Sequence, residues 1–169
     1  MKTDRLFPVA LIIALSLVIL APSQAKESDP DAVVKSLYKT HDASKGPFFQ
    51  KENRAILDKY FTKETADLIW KDAVEANGEV GALDFDPLYN SQDPQITSFK
   101  IGETHLGGIL KHEGDEPKEG LAVLEVTFKD SGKSVNIGFQ LNQDASKAWK
   151  ITDIHYPDGR SLSAILRGE

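Results

Sequence analysis

Residues 122–142, AVLEVTFKDSGKSVNIGFQLN, decide the fold class. Ala122, Leu124, Val126 and Phe128 alternate with Val123, Glu125, Thr127 and Lys129. Asp130-Ser131-Gly132-Lys133 then turns the chain back, and Val135, Ile137, Phe139 and Leu141 alternate with Asn136, Gly138, Gln140 and Asn142. A period of two on both sides of one turn gives two adjacent strands with a greasy and a polar face, the pattern of an antiparallel sheet covered on one side.

Downstream, the polar turn at 143–147 leads to a further strand from Trp149 to Tyr156, closed by Pro157-Asp158-Gly159. Ser161 then caps a terminal helix carrying Leu162, Ile165 and Leu166. Upstream, the period of two begins at Gln95, with a strand over about Ile96 to His105 loosened at Gly107-Gly108. Lys111 to Gly120 (KHEGDEPKEG) reads as a solvated hairpin loop.

Before Gln95 the period is helical. Asp29-Pro30-Asp31 is a helix start in which Asp29 can cap free amides, and Val33, Val34, Leu37, Tyr38 and His41 recur at helical spacing, so a helix is expected over about 30–41. Lys45-Gly46-Pro47 breaks it, and Phe48-Phe49 is expected to tuck a loop onto the core. A short helix with Ile56, Leu57, Tyr60 and Phe61 on one side follows, then a third capped by Thr62 and ended by Asn77-Gly78. Helices, then an antiparallel meander of about four strands, then a short helix predict an α+β domain with its helices on one sheet face.

The first 25 residues carry a different message. Lys2 and Arg5 precede an apolar run from Leu6 to Ala21, and Ser23-Gln24-Ala25 offers small residues for cleavage, so a secretory signal peptide is expected at 1–25 and a single mature domain at 26–169. A retained anchor is the rival reading, but a spanning helix needs about 20 apolar residues and this run contains Pro8 and Ser16. The expected destination is the bacterial periplasm or the medium, with no stable membrane anchor after cleavage. The chain has no cysteine, which excludes disulfides, thiol nucleophiles, thiolate metal ligands and lipidation at cysteine. Cleavage removes two basic residues and one acidic one, moving the formal charge from −6 to −7; such a chain repels phosphate backbones, and no nucleic-acid partner is expected.

The order of elements, with particular strings, resembles the nuclear transport factor 2-like (cystatin-like) superfamily over residues 29–168. Leu83-Asp84-Phe85-Asp86-Pro87 with Gln92-Asp93, and Trp149-Lys150-Ile151-Thr152-Asp153-Ile154 leading to Tyr156-Pro157-Asp158-Gly159 and Ser161-Leu162, are similar to a family of bacterial exported proteins and lipoproteins of unknown function. The resemblance implies a curved sheet wrapped around helices as a cone with a pocket. That fold supports isomerases, dehydratases, epoxide hydrolases, non-catalytic binding modules and immunity proteins, so function must come from a site.

Two groups of residues are candidates. Asp84 to Asp93 (DFDPLYNSQD) gathers three aspartates, Asn90 and Tyr89, which makes Asp84, Asp86, Tyr89 and Asp93 candidate ligand-binding residues. Hard cations favour such oxygens, but a calcium loop starting at Asp84 would place Leu88 fifth, Tyr89 sixth and Gln95 twelfth, so no metal is assigned and the aspartates also suit turns. On an unbulged strand Trp149, Ile151, Asp153 and His155 share a face, making Asp153 and His155 a candidate catalytic pair for general-base work. A bulge near Asp153 would instead turn Ile154 and Tyr156 inward and leave the pair in solvent.

The other histidines are weaker candidates. His41 continues an inward stripe and is expected as a satisfied edge-of-core residue, His105 sits at a strand end, and His112-Glu113 lacks the second histidine of a zinc-protease motif because Glu116 stands there. No serine-hydrolase elbow or phosphate loop is present, and no cofactor is expected. The leading expectation is an exported, non-catalytic binding or accessory module, in one form immunity-like, whose partner is a small ligand or an envelope protein. The alternative is a small cofactor-independent isomerase, hydrolase or dehydratase using an Asp–His pair. The oligomeric state stays open.

Overall fold

The computed structural model describes residues 29–107 and 119–169. Residues 1–25, expected as a signal peptide, and His112, with most of the charged loop, lie outside the described residues. Three helices come first: α1 (Pro30–Thr40), α2 (Arg54–Tyr60) and α3 (Lys63–Ala76). Five strands follow, β1 (Ile96–Ile101), β2 (His105–Leu106), β3 (Leu121–Asp130), β4 (Lys133–Gln143) and β5 (Trp149–His155), and α4 (Leu162–Arg167) ends the chain. No helix among the described residues is long and apolar enough to cross a membrane.

The strands form one curved antiparallel sheet in the order β1-β3-β4-β5, with β2 also paired to β3. The β3–β4 hairpin runs in unbroken register from Leu121↔Asn142 to Asp130↔Lys133. Its two-residue turn has Ser131 at φ 48° and Gly132 at φ 83°, the left-handed pair whose twist matches that of the flanking strands. Alternation along both strands buries Ala122, Leu124, Val126, Phe128, Ile137, Phe139 and Leu141 against the helices. Facing them are Val34, Leu37 and Tyr38 of α1, Leu57 and Tyr60 of α2, and Ile69 of α3, all buried.

The strand expected over Ile96 to His105 is two strands. Between Thr97 and Lys100 the pairing to β3 slips by one residue, with Ser98 at φ 55°, and residues 102–104 leave the ladder before His105 and Leu106 rejoin it against Val123 and Ala122. The slip lets Phe99 set its ring edge-on to Tyr38 at 4.8 Å.

Strand β5 also contains the bulge near Asp153 that turns Ile154 and Tyr156 inward. Gln140 pairs with Asp153 and Leu141 with Ile151, leaving Thr152 as the extra residue. Two hydrogen bonds hold it there: its hydroxyl donates to Gln140 O at 3.0 Å, and its carbonyl accepts from Thr65 Oγ1 of α3 at 2.6 Å. Beyond the bulge Ile154 and Tyr156 are buried and His155 is exposed.

Helix ends differ in part from expectation. Asp29 and Thr62 precede α1 and α3 without a side-chain cap bond, whereas Asn53 and Ser161 accept from Ala55 N and Ala164 N. Asn77 ends α3 in the left-handed conformation at φ 49°. Helix α1 stops at Thr40 and the chain continues for one π-helical turn, His41–Lys45. That widened turn is where the candidate site begins, as such turns often mark functional positions.

Candidate functional site

The stripe Val34, Leu37, Tyr38 brings His41 to the end of α1 on the side facing residues 84–93. That loop is a tight, self-bonded turn. Asp86 N donates to Ser91 O at 2.8 Å, and Asp86 O accepts from Asn90 N at 2.7 Å. Asp86 Oδ1 accepts from Leu88 N at 2.9 Å, the side-chain turn that an aspartate before a proline readily makes. Asn90 takes φ 52° to close it.

Three tyrosines lock this loop to the body. Tyr38 OH donates to Leu88 O at 2.8 Å, Tyr156 OH to Pro87 O at 3.2 Å, and Tyr89 OH to Asp42 Oδ1 at 2.6 Å. Edge-on ring contacts, Tyr38 to Tyr89 at 5.5 Å, Tyr89 to Phe128 at 5.5 Å and Phe85 to Tyr156 at 5.4 Å, complete the support. Burial pushes the hydroxyls of Tyr38, Tyr89 and Tyr156 well above the ordinary tyrosine range. Neighbouring Tyr89 adds to the shift at Tyr38, Asp42 at Tyr89, and Asp153 at Tyr156. The three therefore stay neutral donors at physiological pH.

With the loop fixed, His41 Nε2 donates to Asp86 Oδ2 at 2.6 Å, a short charge-assisted bond between half-buried groups. His41 Nδ1 has no hydrogen-bond partner among the described residues and lies against Gly46, where an added Cβ would stand only 2.6 Å away. His41 lines a cleft of about 530 Å³ together with Lys45, Gly46, Phe48, Gln50, Glu52, Asn53 and Ile56. Asp86 lines a second cleft of about 390 Å³. The bonded pair thus stands between the two.

In the larger cleft, Gln50 and Asn53 are committed to the loop and to the α2 cap. The Lys45 ammonium, the Glu52 carboxylate and His41 Nδ1 have no hydrogen-bond or ion-pair partner among the described residues. Phe48 and Ile56 supply the apolar wall. A carboxylate that orients an imidazole leaves the second ring nitrogen able to accept a proton or a hydrogen bond.

The candidates named from sequence separate. Asp86 bonds His41 and lines the second cleft, whereas Tyr89 is buried, lines neither cleft and serves as the donor to Asp42. Asp84 is exposed on the second cleft, and Asp93 is exposed beside Pro94. Among the described residues no three His, Cys, Asp or Glu side chains converge as metal ligands.

The Asp153–His155 pair is corrected by the bulge. Asp153 Oδ1 accepts from Ser163 N and Ile154 N, both at 2.9 Å, and Oδ2 accepts from Ser163 Oγ at 2.6 Å. Its carboxylate is a helix anchor for α4, His155 points into solvent, and neither residue lines the clefts above. His105 is exposed on β2. The Asp–His pair that does form joins residues 45 apart in sequence, and its one local signal was a histidine in an otherwise apolar stripe.

Fold and site together define an α+β domain with an open cleft beside an oriented histidine. No family model matches the chain, and no curated protein matches it. Among solved structures, it is similar to a phospholipid-binding protein from Ralstonia solanacearum, determined in complex with a phospholipid. The identity is 15% over 84% of this chain and 74% of that one, with a TM-score of 0.32.

Proposed function

We propose that this chain is an exported, non-catalytic binding or accessory module of the bacterial envelope, belonging to the nuclear transport factor 2-like superfamily, that holds a small ligand in the His41 cleft. The observation that carries this reading is the lining of that cleft: Lys45, Glu52 and the His41 imidazole, with uncommitted polar atoms around an apolar wall of Phe48 and Ile56. Such a mixture of a few convergent polar groups on apolar walls suits a small amphiphilic or zwitterionic molecule. The basic, apolar and small-residue sequence of the first 25 residues supports export, and the helices-then-meander order supports the superfamily assignment. An immunity-like role against an envelope partner is one form of the same reading.

Native mass spectrometry of the chain purified from its own envelope tests it. A retained non-covalent mass is expected, and Ile56→Trp, which fills the cleft, should abolish it while circular dichroism stays unchanged. A bare chain mass in both proteins overturns the reading.

A second reading, a cofactor-independent isomerase, hydrolase or dehydratase, is favoured by the His41–Asp86 bond and the free Nδ1 beside the cleft. There Nδ1 would take a proton from ligand or water while Asp86 steadies the imidazolium. His41→Gln discriminates. A binding module retains the same ligand mass with glutamine, whereas an enzyme converts the ligand only when His41 is present.

A further inference from the structure

The second cleft differs from the first in shape and chemistry. Its floor is Leu83 and Phe85, 4% and 9% exposed, and its apolar rim is Phe49 and Val80, 58% and 76% exposed, with Pro94 beside them. Large apolar side chains that water can reach on this scale, gathered at one groove, mark a contact surface.

Phe49 also sits in the left-handed region at φ 59°, a conformation that a bulky side chain adopts only under strain. The loop therefore holds an aromatic ring in solvent at a conformational cost that glycine would not incur.

The charged rim has one sign. Glu79 and Asp84 line the groove with no ion-pair partner among the described residues, and Asp86 adds a third carboxylate bonded to His41. The cation beside the floor is already paired: Arg160, stacked over Phe85 at 5.5 Å, bonds Asp158.

From this apolar floor under an acidic rim we infer that the groove docks a protein segment presenting an apolar side chain flanked by Lys or Arg. The apolar residue enters between Phe49 and Val80, and the flanking cation pairs with Glu79 and Asp84. Hot-spot burial supplies the affinity and charge complementarity the selectivity. The groove shares Asp86 with the His41 pair, but its contacts at Phe49, Val80, Glu79 and Asp84 do not depend on what the His41 cleft holds.

The test uses the purified full-length chain and two fluorescein-labelled peptides, one of alternating Leu and Lys and one of alternating Leu and Glu, read by anisotropy. The Leu-Lys peptide should bind and the Leu-Glu peptide should not. Phe49→Gly should weaken binding about tenfold, with an unchanged or higher melting temperature because the strain is relieved. Glu79→Gln with Asp84→Asn should abolish the preference for the lysine peptide.

Equal binding of both peptides overturns the proposal, as does full affinity in F49G. Self-association of the chain, or binding to neutral phosphatidylcholine vesicles, without binding of the Leu-Lys peptide also overturns it, since the groove would then serve a second copy or a lipid surface. Val80→Ser gives an independent check at an exposed position, removing apolar surface without adding charge, and it should weaken apolar docking.

Discussion

His41 Nε2 and Asp86 Oδ2 stand 2.6 Å apart, and this bond joins the end of the first helix to a loop 45 residues later. It is the point where helix, loop and both clefts meet, so its energetics report on the whole site. Hydrogen bonds to a charged group contribute about 1.5–3 kcal/mol. His41→Ala and Asp86→Ala should each destabilise the fold, Asp86→Ala more, because Asp86 Oδ1 also holds Leu88 N. Urea unfolding in a double-mutant cycle should give a coupling of about 1–2 kcal/mol; additivity would mean that the bond is absent in solution.

Gly46 lies against the imidazole. A Cβ there would meet His41 Nδ1 at 2.6 Å, so Gly46→Ala must displace the ring or the loop. Overpacking of this kind costs about 1–3 kcal/mol. The loss should appear in the melting temperature, and combining Gly46→Ala with His41→Ala should recover most of it.

The tyrosine clamps should differ in weight. Tyr38→Phe leaves Leu88 O buried without its donor and should cost about 1–3 kcal/mol. Tyr89→Phe frees the exposed Asp42 carboxylate to water and should cost less. Chemical denaturation of the two variants settles the order, and equal losses would contradict it.

Alkaline pH should unfold the protein through the same residues. Tyr38, Tyr89 and Tyr156 have folded-state pKa values above the ordinary tyrosine value of about 10. Their stabilisation is complete below that pH. As pH rises past about 10 the unfolded chain releases protons that the fold retains, so stability falls. Tyr60 is the exception: burial acts to raise it, but its hydrogen bonds with Lys59, Ser36 and Thr40 together outweigh burial and hold it below the ordinary value. Ultraviolet titration should therefore show one early phenolate, lost in Tyr60→Phe, and three that appear only with unfolding.

Asp153 and His155 should behave as structure rather than chemistry. Asp153→Ala removes the anchor at Ser163 and should cost about 1–2 kcal/mol. His155→Ala, on the exposed side of the bulge, should stay within about 0.5 kcal/mol. Neither should change the mass of a retained ligand, and loss of that ligand with an intact fold would return the pair to the site.

Local pattern reached a long way into this fold. The hairpin was legible because alternation at Ala122–Phe128 and Val135–Leu141 and the turn at Ser131-Gly132 agree on one register. Helix α1 was legible because Pro30 starts it and its apolar stripe has the helical period. The break in the first strand was not, since Ser98 at positive φ and the slip beside it answer to Tyr38, a residue on another element that Phe99 reaches. At the site, Asp86 and Tyr89 were visible as a polar cluster, but the role of His41 was not, because its partner lies beyond any local window.

Sequence alone determined the class of the fold, helices on one face of an antiparallel meander, because amphipathic period and turn chemistry are local and leave one way to bury each greasy face. Tertiary structure alone decided which histidine is oriented. Pairing of Thr152 with Thr65 and Gln140 bulges β5 and turns His155 outward, while packing of α1 against the 84–93 loop brings Asp86 to His41. Both outcomes rest on hydrogen bonds between distant segments, whose geometry exists only once the chain has packed.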